Sequence, residues 1–241
     1  MRAATTPTAS EAPLEFPVSD YSSQASALFN NMRAPASFVA GVLLGASFSL
    51  AAAPTDGPAV GFVKRLHLLI GLASVSAELV AIVACTVSIN KLSERKLPPT
   101  AGVHRLLMCD PDVELSWLTA NVNFFAGLFG LVLMTGVRGC LALSGSSGPV
   151  WGAAAALVAT SAGLLMASLI NRGIASGGGS IIMCGPNPRF GRSLFGLVAR
   201  YLSVMSDRAR GAPLAAMSAM CALGAAALGA AGVVVGLQGL R

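Results

Sequence analysis

Five nearly uninterrupted apolar stretches punctuate the chain, at about 36–53, 66–90, 115–137, 150–170 and 213–237, and most of the charge falls between them. A run of roughly 20 apolar residues, coiled at about 1.5 Å per residue, matches the roughly 30 Å hydrocarbon core of a bilayer. The pattern predicts an all-α fold, a polytopic membrane helical bundle with about five transmembrane helices. Two further segments repeat apolar residues at helical spacing without being apolar throughout. In 20–33, Ala25, Leu28, Phe29 and Met32 share a face, Ser19 or Asp20 is placed to cap it, and Pro35 is expected to break or restart the helix. In 193–206, Leu194, Leu197, Val198, Tyr201, Leu202 and Met205 share another. Both read as interfacial helices lying on the membrane surface. Residues 1–18, rich in Pro, Ala and Thr, cannot bury enough surface to order themselves, so the membrane domain is read as 19–241.

Within the spans the small residues are themselves periodic. Along the second, His67, Gly71, Ser74, Glu78, Ala81, Cys85 and Ser88 recur at steps of three and four, while Leu68, Leu69, Leu72, Leu79, Val80 and Val83 lie off that stripe. The small or polar face is expected to meet protein and the bulky face lipid, which puts the second span at the centre of the bundle. The third span carries Ser116, Ala120, Asn123, Gly127 and Gly130 on a comparable stripe. Antiparallel packing would bring Gly127 and Gly130 to the depth of Glu78, leaving a tight backbone contact or a small cavity. Gly41, Gly45 and Ser49 in the first span, and Ser218, Ala222, Ala225, Gly229, Gly232 and Gly236 in the fifth, read as packing seams.

Composition strengthens this reading: 54% of residues are hydrophobic and 11% charged, where soluble domains carry roughly a quarter charged. The net charge of +6 would suggest nucleic acid in a soluble protein. Here the cations sit in loops beside apolar runs, so lipid is the expected partner and nucleic acid is not. With five spans and the N-terminus on side one, that side receives 12 of the 16 Lys and Arg residues and the other only Lys64, Arg65, Arg138 and Arg241. The bias predicts the N-terminus on the basic, cytoplasmic or stromal, side and the C-terminus opposite.

Few residues invite chemistry. Glu78 falls near the middle of the second span, where a carboxylate is costly and a functional hypothesis by default. With His67 and Asn123 it forms a candidate intramembrane site for a proton, a cation or a pigment magnesium; the structural alternative is a neutral glutamate bonded to a neighbouring hydroxyl or amide. Asn121 and Asn123 are expected to bond across helices. No HExxH, GxSxG or Walker A sequence occurs, so no catalytic residue and no enzyme activity is expected. No cofactor is expected either, with chlorophyll or carotenoid as the alternative.

The segments Ile89-Asn90-Lys91 leading to Met108-Cys109-Asp110-Pro111 and Ile170-Asn171-Arg172 leading to Met183-Cys184-Gly185-Pro186 echo each other. If they mark a duplication, spans two–three and four–five are parallel repeats of one hairpin, as in several transporter folds. Asn90, Lys91, Asn171, Arg172, Cys109 and Cys184 then form a candidate pocket on the basic side. His104, Cys109, Asp110 and Cys184 include suitable metal-ligand types, but their spacing matches no ligand motif, and they are read as loop residues.

The segment Ser19-Asp20-Tyr21-Ser22-Ser23-Gln24 through Asn30-Asn31-Met32-Arg33-Ala34-Pro35, with Ile89-Asn90-Lys91-Leu92 and Pro98-Pro99-Thr100-Ala101, resembles parts of uncharacterised multi-pass membrane proteins of algae with complex plastids. The resemblance covers about a third of the chain and brings no catalytic or binding residues. It implies a plastid membrane, such as the thylakoid, with the basic side toward the stroma. The leading expectation is a non-enzymatic accessory or assembly subunit of a larger membrane complex; the alternatives are a small proton-coupled transporter using Glu78 and a pigment-binding subunit.

Overall fold

The computed structural model describes residues 19–94, 99–100, 102–103, 106–107, 111–147, 149–176, 193–209 and 211–238. Among them are six named helices: α1 (Ser22–Ser47), α2 (Pro58–Glu94), α3 (Pro111–Ser147), α4 (Pro149–Ser176), α5 (Leu194–Ala209) and α6 (Pro213–Gln238). Four of them begin with proline. At a first helical position the missing N–H costs nothing and the fixed φ is already helical, so these prolines set where each helix starts.

Three helices are long and apolar enough to cross a membrane, within Pro58–Glu94, Asp112–Leu143 and Val150–Arg172. These hold the second, third and fourth of the expected spans. The apolar helical stretch Ala216–Gly232 of α6 is shorter, and α1 does not reach the same standard among the described residues. The chain is therefore an all-helical bundle built on three long apolar helices. Each of α2 and α3 is 37 residues long, so both continue well past their apolar runs.

The start of the bundle departs from expectation. Residues 20–33 and 36–53 are not parted into two helices; α1 runs unbroken through Pro35 to Ser47. Its buried residues Ala25, Phe29, Ala36, Val39, Ala40, Leu43 and Ser47 keep one face across the proline. Pro35 itself is exposed, so one lost backbone bond is outweighed by a continuous packed face. The Asp20 carboxylate accepts the Ser22 N–H at 2.9 Å, and the Ser22 hydroxyl first, with this N–H second, holds its pKa below the usual carboxylate range. Ser19 and Thr100 exchange two backbone bonds of 3.0 Å, tying the start of the described chain to the segment after α2.

The core lies where α1, α2 and α3 meet. Toward one end Phe29, Cys85, Leu92, Leu106, Leu107, Val113, Trp117 and Ala120 form a buried cluster in which the Phe29 ring meets Trp117 edge-on, centroids 5.2 Å apart. Further along, Val39 and Leu43 pack on Met134. Outside this trio packing thins. α4 lies along α3, where a Cβ on Gly136 or Gly139 would stand 2.6 Å or 3.1 Å from the methyls of Ala159 or Ala155. The Cys140 thiol donates to the Gly152 carbonyl at 3.2 Å. None of the most apolar stretch of α4 is buried. α6 touches α2 and α5, but it makes no contact with α4 among the described residues, so spans four and five are not packed as the second hairpin of a repeat.

Candidate functional site

The α2 stripe read from the sequence is the buried face of the helix. His67, Gly71, Ser74, Glu78, Ala81, Cys85 and Ser88 are all buried, joined by Leu92 one turn beyond. Leu69, Leu72, Leu79, Val80 and Val83 are exposed. This face packs antiparallel on α3 in a seam of small residues. A Cβ on Gly127 would overlap the Glu78 carboxylate, one on Gly130 would overlap the Ser74 side chain, and one on Gly71 would overlap Ser47 of α1 and stand 3.0 Å from the Met134 methyl. Of the two arrangements open at the level of Glu78, the structure takes the tight backbone contact rather than a cavity.

Hydroxyl and amide groups along this seam bond to their own helices. The hydroxyls of Ser47, Ser74 and Ser88 donate to the carbonyls of Leu43, Ile70 and Ala84, each four residues back. Asn121 and Asn123 do the same, donating to Trp117 and Thr119 at 2.8 and 2.9 Å, so the expected bonds across helices are replaced by bonds within α3. Back-bonding of this kind needs no second helix in register, which is why it wins inside an apolar bundle.

Glu78 and His67 are the exceptions. Both are 0% exposed, and neither the two carboxylate oxygens nor the two ring nitrogens has a hydrogen-bond partner among the described residues. The structural alternative for Glu78, a bond to a neighbouring hydroxyl or amide, is not made among the described residues: the hydroxyl one turn back on α2, Ser74, is committed to Ile70. A buried polar group without a partner carries a desolvation cost of about 1–3 kcal/mol or more, so such groups call for an explanation. His67 and Glu78 lie at different depths of the seam. Glu78 and His67 are eleven residues apart on one helix, about 16 Å along its axis, and Asn123 lies one turn along α3 from Gly127. Both nitrogens of His67 are shut inside the bundle, so a pigment magnesium reaches them only if α2 parts from its neighbours.

The candidate basic-side pocket resolves into a strap. Helix α5 lies across the ends of the neighbouring helices and is held at several points. Its first N–H, at Leu194, donates to the Asn171 side chain of α4 at 2.7 Å; Arg200 donates twice to Glu114 of α3, at 2.6 and 3.1 Å; Arg208 pairs with Asp112 at 2.9 Å. Asp112 also faces Lys91, at the end of α2, at 3.7 Å. The two acids stand in the first turn of α3, where carboxylates complement the exposed N–H groups of a helix start. Asn171 and Lys91 thus serve different junctions, and Asn90 and Arg172 are exposed. Cys109, Cys184, His104 and Asp110 lie outside the described residues. The helix itself is expected from the sequence, at 193–206, and forms at Leu194–Ala209, but its ties are not legible there because ion pairs between distant segments leave no periodic signal.

At the opposite end Asp56 clasps Lys64 at 2.8 and 2.9 Å and accepts the Ala53 N–H at 2.6 Å. The Lys64 hydrogen bond first, and then the Ala53 bond, hold its carboxyl below the usual range. Compared with family models, with curated proteins and with solved structures, the chain matches none.

Proposed function

We propose that this chain is a non-enzymatic accessory or assembly subunit of a larger membrane protein complex in a plastid membrane. It crosses five times, with α1 and α6 as the outer spans and the N-terminus on the basic side. The observation that carries the reading is that small residues of α1 and α6 face no neighbour among the described residues, although a Cβ on Gly229 of α6 would meet Leu69 of α2 at 3.4 Å. Gly41, Gly45, Gly224 and Gly232 have no described atom within 4 Å of the position a Cβ would occupy. Small residues at every fourth position let helix backbones approach closely, and without a neighbour they give up packing for no return. Helices of other subunits fill those faces in this reading. Purification in mild detergent tests it: the protein should co-migrate with a large complex, and Gly41→Leu with Gly45→Leu should release it while leaving it folded. A wild-type protein that purifies as a stable, colourless monomer or homodimer overturns the reading.

One observation favours a second reading, proton-coupled transport: the unpartnered carboxylate of Glu78 at mid-span. In vesicles holding the purified chain, Glu78→Gln should abolish proton-coupled flux, and full flux in that variant removes this reading.

A further inference from the structure

A cleft of about 1380 Å³ opens between α2, α3 and α4. Its walls are almost entirely hydrocarbon, with Val63 from α2, Val132 and Leu133 from α3, and Leu164 and Ala167 from α4 among them. It exists because the α3–α4 seam is tight at Gly136 and Gly139 and slackens at Gly163, where a Cβ would meet only Val132 Cγ1 at 3.9 Å. Pockets for small organic ligands run to about 300–1,000 Å³, so this one is larger than such a molecule needs.

Two cations line the cleft at one end, Lys64 and Arg138. Lys64 is neutralised by Asp56. Arg138 is exposed and forms no ion pair among the described residues, whereas Lys91, Arg200 and Arg208 at the other end of the bundle are all paired with Asp112 or Glu114. Arg138 stands one residue beyond the apolar run read at 115–137, near the C-terminal end of the apolar stretch Asp112–Leu143. Along α3 the cleft is lined from Phe129 to Ala142, about 20 Å, and its part inward of Arg138 measures about 14 Å, close to the roughly 15 Å of half a hydrocarbon core. A greasy slot that runs about one leaflet's depth inward from a single uncompensated guanidinium on its wall has the dimensions and charge of a lipid molecule's complement.

We propose that this cleft is a binding site for an anionic membrane lipid of that leaflet, its acyl chains along Val132, Leu133 and Leu164 and its headgroup oxygens on Arg138. A planar guanidinium offers two parallel donors to a phosphate or sulfate, which a zwitterionic headgroup meets only against its own cation.

The test uses the full chain reconstituted into vesicles of equal parts phosphatidylglycerol and phosphatidylcholine, re-extracted in mild detergent and weighed intact by native mass spectrometry. Wild type should retain phosphatidylglycerol over phosphatidylcholine. Arg138→Gln should cut that retention about tenfold, the size expected for losing one charge-assisted contact. Arg138→Lys should restore part of it, and Arg65→Gln, a neighbouring exposed cation outside the cleft, should leave it unchanged. Ala167→Trp, which fills the apolar wall, should lower retention with Arg138 intact. Equal retention of the two lipids by wild type, undiminished phosphatidylglycerol on Arg138→Gln, or a lipid-free dimer in which a second copy occupies the cleft would each overturn the proposal.

Discussion

Gly127 and Glu78 show how a single missing side chain places a charged one. The carboxylate sits where a glycine backbone gives way, and no hydroxyl turns toward it because each is spent on its own helix. Gly127→Ala should therefore destabilise the α2–α3 seam by about 1–3 kcal/mol, the usual cost of forcing a methyl into a packed interior. Glu78→Ala on the Gly127→Ala background should recover most of it. Unfolding of the four variants in one detergent measures the coupling, and strictly additive effects would separate the two residues. The contact was legible in the sequence because the closest approach of two helices demands small residues on both. What could not be read there was the direction of the polar bonds. Asn121 and Asn123 carry the same donors whether they reach across or back, and only the neighbouring helix decides.

At the scale of elements, the long apolar helices were legible from run length and the buried face of α2 from its period of three and four. The continuity of α1 was not, since Pro35 is a breaker by local rule and is overruled by a face that continues on both sides of it. The α5 strap is held by several polar contacts, each partly exposed. Surface ion pairs contribute about 0–1 kcal/mol apiece, so the strap should open locally long before the bundle unfolds. Glu114→Gln should raise hydrogen exchange in 194–209 several-fold and leave α2 and α3 unchanged. Exchange that rises equally throughout would make Glu114 a global rather than a local tie.

For the whole molecule, order is graded. α1, α2 and α3 close a core on one another, while α4 and α6 show most of their surface outward, with Leu157, Leu164 and Leu169 on one and Leu214, Leu223 and Leu228 on the other exposed. An outward apolar face is ordinary in lipid; an outward glycine face is the part that asks for a partner. The sequence could not separate these cases, because the same kind of stripe closes on a helix of its own chain at Gly127 and on none among the described residues at Gly45. In the assembled state proposed for this protein, amides of α6 should exchange more slowly than in the free chain, and identical exchange in both would place the partner elsewhere.

The prolines that open α2, α3, α4 and α6 bear on how the protein meets bilayers of different thickness. With the helix starts set by covalent geometry, and α2 and α3 extending beyond their apolar runs, a thinner or thicker membrane has no helix end to unwind. Tilt is one way such helices take up hydrophobic mismatch. Because α2 and α3 are locked at Gly127 and Gly130, they tilt as one plate, and the slack α3–α4 seam beside Gly163 is where the rest of the bundle gives.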